Sequence, residues 1–170
     1  MNKRILLASP HMSEEGFEQG YIKEAFDTNW VAPLGKNVDE FEKELANYVK
    51  VENAEVRQCG RQITVEAEVY NKGNADTEEV VQVYVKNLDS KNAIPNPALG
   101  GFQRIFIKAG ERRKVMVPVW EKAFTVVDEN GERVEDGRKY EIFAGCSQPD
   151  ERSIELTGTE PVKIIWEKED

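Results

Sequence analysis

The sequence predicts a mainly β chain, an antiparallel two-sheet sandwich preceded by a short segment of two helices. Three observations predict it. Apolar residues recur at every second position from Ile63 onward, they recur with a helical period before Lys50, and turn residues punctuate the later region at short intervals.

In the first segment Phe17, Tyr21, Ile22, Ala25 and Phe26 share one helical face, which predicts a helix over 14–28 with Ser13 as its N-cap. Pro33 and Gly35 then break the pattern. Asn37 followed by Glu40 reads as a capping box for a second helix over 38–49, striped by Val38, Phe41, Leu45, Tyr48 and Val49. Two helices of this size have too little core to stand alone.

The second segment opens on Ile63-Thr64-Val65-Glu66-Ala67-Glu68-Val69, a strict inward and outward alternation, and turns at Asn71-Lys72-Gly73-Asn74. Val81, Val83 and Val85 alternate with polar partners, as do Ile105 and Ile107, then Val115, Val117 and Val119. Phe124 to Val127 leads into Asp128-Glu129-Asn130-Gly131, and Asn-Gly is a strong hairpin signal. Tyr140, Ile142 and Ala144 follow Asp136-Gly137, and Ile154–Leu156 and Val162–Ile164 close the series as strands. Roughly seven short strands with turns about every 8–12 residues describe an antiparallel sandwich. Val65, Val69, Val81, Val83, Val85, Val115, Val117, Ile142 and Leu156 are its expected core.

Composition narrows the function classes. Hydrophobic residues make up 39% and charged residues 32% of the 170, with a formal net charge of −9. So acidic a surface repels phosphates and anionic lipid, which argues against nucleic acid and membrane partners. Cys59 and Cys146 flank Trp120 in the order of an antibody domain. Cys59, however, lies in a polar stretch before the first clear strand, so two unpaired thiols and a cytoplasmic location are expected.

Candidate chemistry is thin. His11 stands alone, and no His/Cys cluster has metal-ligand spacing. Asp128-x-Asn130-x-Glu132 begins like a calcium loop, but its glycine, Gly131, sits at the wrong position. No catalytic, cofactor-binding or metal residue is assigned. The irregular stretch from Asn87 to Gly101 holds Pro95 and Pro97, which favour an extended, polyproline-like arm. Long loops on compact sandwiches often dock partners, so Ile94, Pro95, Pro97, Leu99 and Phe102 form the candidate docking surface. The alternative is a carbohydrate-binding module in which Tyr84, Trp120 and Trp166 share an exposed platform.

Val80-Val81-Gln82-Val83-Tyr84-Val85, Gly101-Phe102-Gln103-Arg104, Lys108-Ala109-Gly110-Glu111 and Ala123 to Asp128 occur in an order that continues through Tyr140–Gly145 and Leu156-Thr157-Gly158. About residues 54–165 thereby resemble the C-terminal fibronectin-III-like domain of family 3 glycoside hydrolases, the β-glucosidases and β-xylosidases. That resemblance implies an immunoglobulin-like sandwich with no catalytic role, whose partners are the glycosidase's own catalytic domains.

Residues 1–50 resemble something else. Ile5 to Met12, Tyr21 to Phe26, Asn29 to Gly35 and Phe41 to Leu45 are similar to the start of DegT-type sugar aminotransferases, which use pyridoxal phosphate. The similarity stops near Val51, before that family's phosphate-binding segment, cofactor-pairing Asp and Schiff-base Lys, so no cofactor is expected. The chain reads as a fusion of residues 1–50 with a sandwich over 51–170, joined between about Val49 and Arg57, and as an accessory module, not an enzyme. The apolar stripe of the helices would fold back, fray or pair. A two-fold dimer through these helices is expected, and removal of residues 1–50 is expected to leave a folded sandwich.

Overall fold

The computed structural model describes residues 15–28 and 49–168. The chain divides into two compact units, Met1–Phe41 and Glu42–Asp170.

Of the first unit, the described part is helix α1, Phe17–Asp27. Its N-cap position is Gly16, in a left-handed conformation with no side-chain cap, and Ser13 lies outside the described residues. Thr28 closes the far end by donating its hydroxyl to the Glu24 carbonyl at 2.7 Å. Phe17, Tyr21, Ile22 and Phe26 are all exposed. Residues 38–48 of the expected second helix lie outside the described residues, but Val49 belongs to a strand.

The second unit is an antiparallel β-sandwich. Its strands are β1 Val49–Cys59, β2 Gln62–Asn71, β3 Thr77–Asn87, β4 Ala98–Ile107, β5 Arg112–Val119, β6 Val126–Val127, β7 Arg133–Val134, β8 Lys139–Gly145 and β9 Val162–Glu167. One sheet has the order β1-β2-β5, the other β4-β3-β8-β9, and β6 and β7 form a small hairpin. No helix interrupts 63–84, and the expected core is buried from Val65 to Ile142. Each large apolar side chain buried this way is worth about 1.5–3 kcal/mol.

Three expectations are corrected. The polar stretch before Ile63 is a full strand, β1, pairing with β2 around Gly60, whose φ of +59° suits the left-handed turn. Its alternation is broken by a bulge between Val51 and Asn53, so the inward residues read 49, 51, 54 and 56. Residues Ile154–Leu156 are not a strand but part of helix α2, Glu151–Thr157. Asp150 caps it by accepting the Ser153 N–H at 3.0 Å, and Gly158 ends it at φ +61°. Leu156 is accordingly half-buried. Finally, Glu121–Phe124 makes one 3₁₀ turn before β6, so the expected strand shrinks to Val126–Val127.

Two buried polar groups tie the sandwich together. Asn71 is fully buried, and its side chain donates to the Ala75 carbonyl at 2.9 Å while accepting the Gly73 N–H at 2.9 Å. Its backbone bonds Glu111 and Gly110 at 3.0 Å each, so one residue at the end of β2 anchors the turn into β5 as well. The Tyr140 hydroxyl lies 3.0 Å from the Gly137 carbonyl and 3.1 Å from that of Phe124. Burial pushes this phenol up to about 12, which keeps it a proton donor. Phe124 packs edge-on against it, and Trp166, edge-on to Phe124, lies tilted against it.

Gly100 and Gly101 join the sheets. The bulge opposite Val83 and Tyr84 leaves Gly100 unpaired with β3, and its carbonyl instead accepts the Trp120 N–H at 2.8 Å. A Cβ on Gly101 would run into the Pro118 carbonyl oxygen, and one on Gly100 would lie 2.9 Å from Val85 Cγ2. Gly101→Ala should therefore lower stability by about 1–3 kcal/mol, measurable as a fall in the urea midpoint, because β4 must move off β5. An unchanged midpoint would mean that the two edges separate freely.

Candidate functional site

On the β1-β2-β5 sheet, Glu52 lies between Lys50 at 3.1 Å and Arg112 at 2.9 Å, and Glu66 between Arg57 at 2.7 Å and Lys114 at 2.6 Å. Asn53 donates to Glu68 at 3.1 Å, and the Arg112 guanidinium stacks 3.9 Å over Tyr70. Arg112 first and Lys50 next hold the Glu52 carboxyl below its usual range, and Lys114 does the same for Glu66. Such a face is satisfied in water.

The β4-β3-β8-β9 sheet also carries ion pairs, Arg104 with Glu78 and Lys163 with Glu141, and adds exposed apolar groups. Leu99 is register-paired with Tyr84, and Tyr84 with Phe143. The Gly100 bulge decides where the candidate docking residues fall. Strict alternation would put residues 99 and 102 on opposite faces, but with one residue absorbed by the bulge both are exposed, at 40% and 53%. Phe102 meets Trp120 edge-on at 6.0 Å between ring centres, with Lys122 5.0 Å from the Trp120 ring. Ile94 (58% exposed) and Pro95 are exposed on the preceding loop, and Pro97 is half-buried.

That loop is shorter and more folded than an extended arm. Asn87 still belongs to β3 and Ala98 already to β4, with a turn at Lys91-Asn92 and bends at Pro95-Asn96. Its root is clamped. The Asn87 side chain accepts the Asp89 and Ser90 N–H groups at 3.1 and 2.9 Å and donates to the Asp136 carbonyl at 2.7 Å. Asp89 accepts the Arg138 N–H at 3.0 Å and that of Lys139 at 3.1 Å, and Ser90 Oγ donates to Asp136 Oδ2 at 2.5 Å. Gly137, at φ +92°, lets Asp89 and Asn87 come this close. Sequence reasoning named the prolines and missed the clamp, for which Asn87, Asp89 and Asp136-Gly137 were the available signals.

The aromatics of the sugar-binding alternative are dispersed. Trp166 packs on Phe124 and Tyr140, Trp120 on Phe102 at an interplanar angle of 89°, and the Tyr84 hydroxyl donates to Gln82 at 2.8 Å. Among the described residues no group of acids, histidines or cysteines could hold a metal, and no helix is long and apolar enough to cross a membrane. His11 lies outside the described residues. Asp128 closes the hairpin by accepting the Asn130 and Glu132 N–H groups at 2.9 Å each. Cys59 ends β1 exposed, while burial, with Glu79 nearby, pushes the half-buried Cys146 thiol up to about 12. An open cleft of about 550 Å³ beside Arg61, Glu135 and Lys168 is lined by both signs of charge, with Lys168 bonded to Glu135 at 2.9 Å.

Residues 79–148 match the fibronectin type III-like domain family. An exo-α-(1→6)-L-arabinopyranosidase of Bifidobacterium breve is 39% identical over 89 residues, covering 51% of this chain and 12% of that protein. A solved family 3 β-glucosidase of Bifidobacterium adolescentis superposes with a TM-score of 0.56 at 24% identity, over 70% of this chain and 17% of that one. Over 54 residues the chain is 56% identical to EpsN of Bacillus subtilis, named as a putative pyridoxal phosphate-dependent aminotransferase, covering 32% of this chain and 13% of that protein. The chain spans less than a fifth of the length of the curated relatives it matches. Residues 79–148 of the sandwich thus match a fibronectin type III-like domain, the chain is similar in part to β-glucosidases and β-xylosidases, and a short segment matches an aminotransferase.

The clamp makes a pH prediction. The N–H groups of Arg138 and then Lys139 hold the Asp89 carboxyl below its usual range. A depressed folded value means that the stability from Asp89 is complete above about pH 4 and lost as pH falls through the folded value. Melting curves should show Asp89→Asn less stable than the parent at pH 7, with the gap closing below about pH 4. A gap that stays constant with pH would assign the loss to geometry alone.

Proposed function

We propose that this chain is a non-catalytic accessory module of the glycosidase type, which docks through Ile94, Pro95, Pro97, Leu99 and Phe102. One observation carries the reading. The Gly100 bulge gathers Leu99 and Phe102 onto a single exposed face, with Trp120 edge-on to Phe102 and Ile94 exposed on the loop that leads into β4. Exposed apolar side chains grouped on one face mark interaction surfaces. The natural partner class is the catalytic part of a family 3 glycosidase, as the relatives suggest.

The test is association in trans. The chain, mixed with separately expressed catalytic domains of a family 3 β-glucosidase, should co-elute on gel filtration. Leu99→Asp and Phe102→Asp should each weaken that association by about tenfold or more, since interface energy concentrates in a few central side chains. Co-elution untouched by either change would move the docking surface elsewhere.

The same reading covers both parent activities. A retaining glycosidase needs two carboxylates about 5–5.5 Å apart beside a sugar pocket, and an aminotransferase needs its Schiff-base lysine. The purified chain is expected to cleave neither aryl β-glucosides nor aryl β-xylosides, and to show no absorbance band after incubation with pyridoxal phosphate and dialysis. Turnover that co-purifies with the protein would overturn the accessory reading.

A further inference from the structure

The two sheet edges β4 and β5 lie side by side, held together at one end by the Trp120–Gly100 hydrogen bond and at the other by the turn Lys108–Glu111. Between these ties they part into a groove of about 460 Å³, lined by residues of 103–106 and 113–116. In an antiparallel ladder alternate residues turn their backbone groups away from the neighbouring strand, and on an edge strand those groups have no ladder partner. In β4, Arg104 and Phe106 are such residues. Long side chains meet their carbonyls: Gln103 Nε2 donates to that of Arg104 and Arg113 Nη1 to that of Phe106, at 3.0 Å each.

The charge of this edge is opposite to that of the chain. Residues 98–122 carry six cations (Arg104, Lys108, Arg112, Arg113, Lys114 and Lys122) against two anions, Glu111 and Glu121, within a chain of net charge −9. Arg104, Arg112 and Lys114 are paired with Glu78, Glu52 and Glu66. Among the described residues no carboxylate pairs with Arg113. Phe106 and Met116 stand exposed along the same groove, so it offers backbone acceptors, an unneutralised guanidinium and apolar side chains together.

We propose that this groove captures an acidic extended segment of a partner protein, which adds as a strand along β4. The incoming N–H groups replace Gln103 and Arg113 on the edge carbonyls. The displaced Arg113 then takes a carboxylate of the segment as a charge-assisted pair. Alternate residues of the segment rest on Phe106 and Met116. This goes beyond docking through the Ile94–Phe102 patch and uses different side chains, so either can fail without the other.

The test uses the full chain and two synthetic peptides, one alternating glutamate with valine and one alternating lysine with valine. Titration followed by amide NMR should give saturable shifts confined to 103–106 and 113–116 with the acidic peptide and none with the basic one. Affinity should fall about tenfold in Arg113→Glu and also fall with added salt, because the attraction is between surface charges. Arg113→Gln should show an intermediate loss, while Leu99→Asp should leave peptide binding unchanged. Equal binding of both peptides, shifts outside the groove, or indifference to Arg113→Glu would overturn the proposal. No saturable binding would show that Gln103 and Arg113 merely shield a raw sheet edge. Concentration-dependent shifts at 103–106 without peptide would give the groove to a second copy of the chain and likewise overturn it.

Discussion

At Gly101 the backbone of β4 comes so near to that of β5, and at Gly100 the side chains of Val85, Ala123 and Val119 stand so close, that neither position has room for a side chain. The rest of the sandwich depends on that approach. Strands β4 and β5 belong to different sheets, and the Gly100 carbonyl is the acceptor that holds Trp120 across the gap. Because Gly100 is spent on this bond it drops out of register with β3, and the drop puts Leu99 and Phe102 on one face. A single backbone constraint therefore shapes the core, the apolar patch and the upper end of the edge groove.

The remaining order is polar and local. Asn71, Asn87, Asp89, Asp128 and Asp150 each accept backbone N–H groups at a turn or a helix start. None of these bonds contributes much alone, since net hydrogen-bond energies are about 0.5–1.5 kcal/mol, but each fixes a loop that alternation leaves undefined. The Asn87–Asp89 clamp matters most for function, because it sets where the loop bearing Ile94 and Pro95 leaves the body of the domain.

Strands with unbroken alternation were legible in the sequence. Val65, Val69, Val81, Val83, Val115, Val117 and Ile142 could be assigned to the core from period alone, and each is buried. What was not legible follows from the same rule. The bulge at Val51–Asn53 shifts the period of β1 by one residue and hides the strand. Ser153-Ile154-Glu155-Leu156 alternates like a strand, although Asp150 and Gly158 mark a helix start and stop. The candidate patch could be named from its prolines and exposed apolar residues, but its geometry rests on a bulge that composition does not announce.

Strand β1 also bears on where this domain can be cut. The two resemblances in the sequence meet near Val51, inside a strand whose inward residues, Val49 and Val51, are 4% and 6% exposed in the core. Trimming residues 1–50 would remove Val49 and part of the pairing with Asn71 and Tyr70. A sandwich freed of its leading segment must therefore start at or before Val49. An edge strand demands little of its sequence beyond an apolar residue at each inward position, so the boundary between the two resemblances can fall inside it. The outermost strand thus begins at the point where one resemblance ends and the other starts.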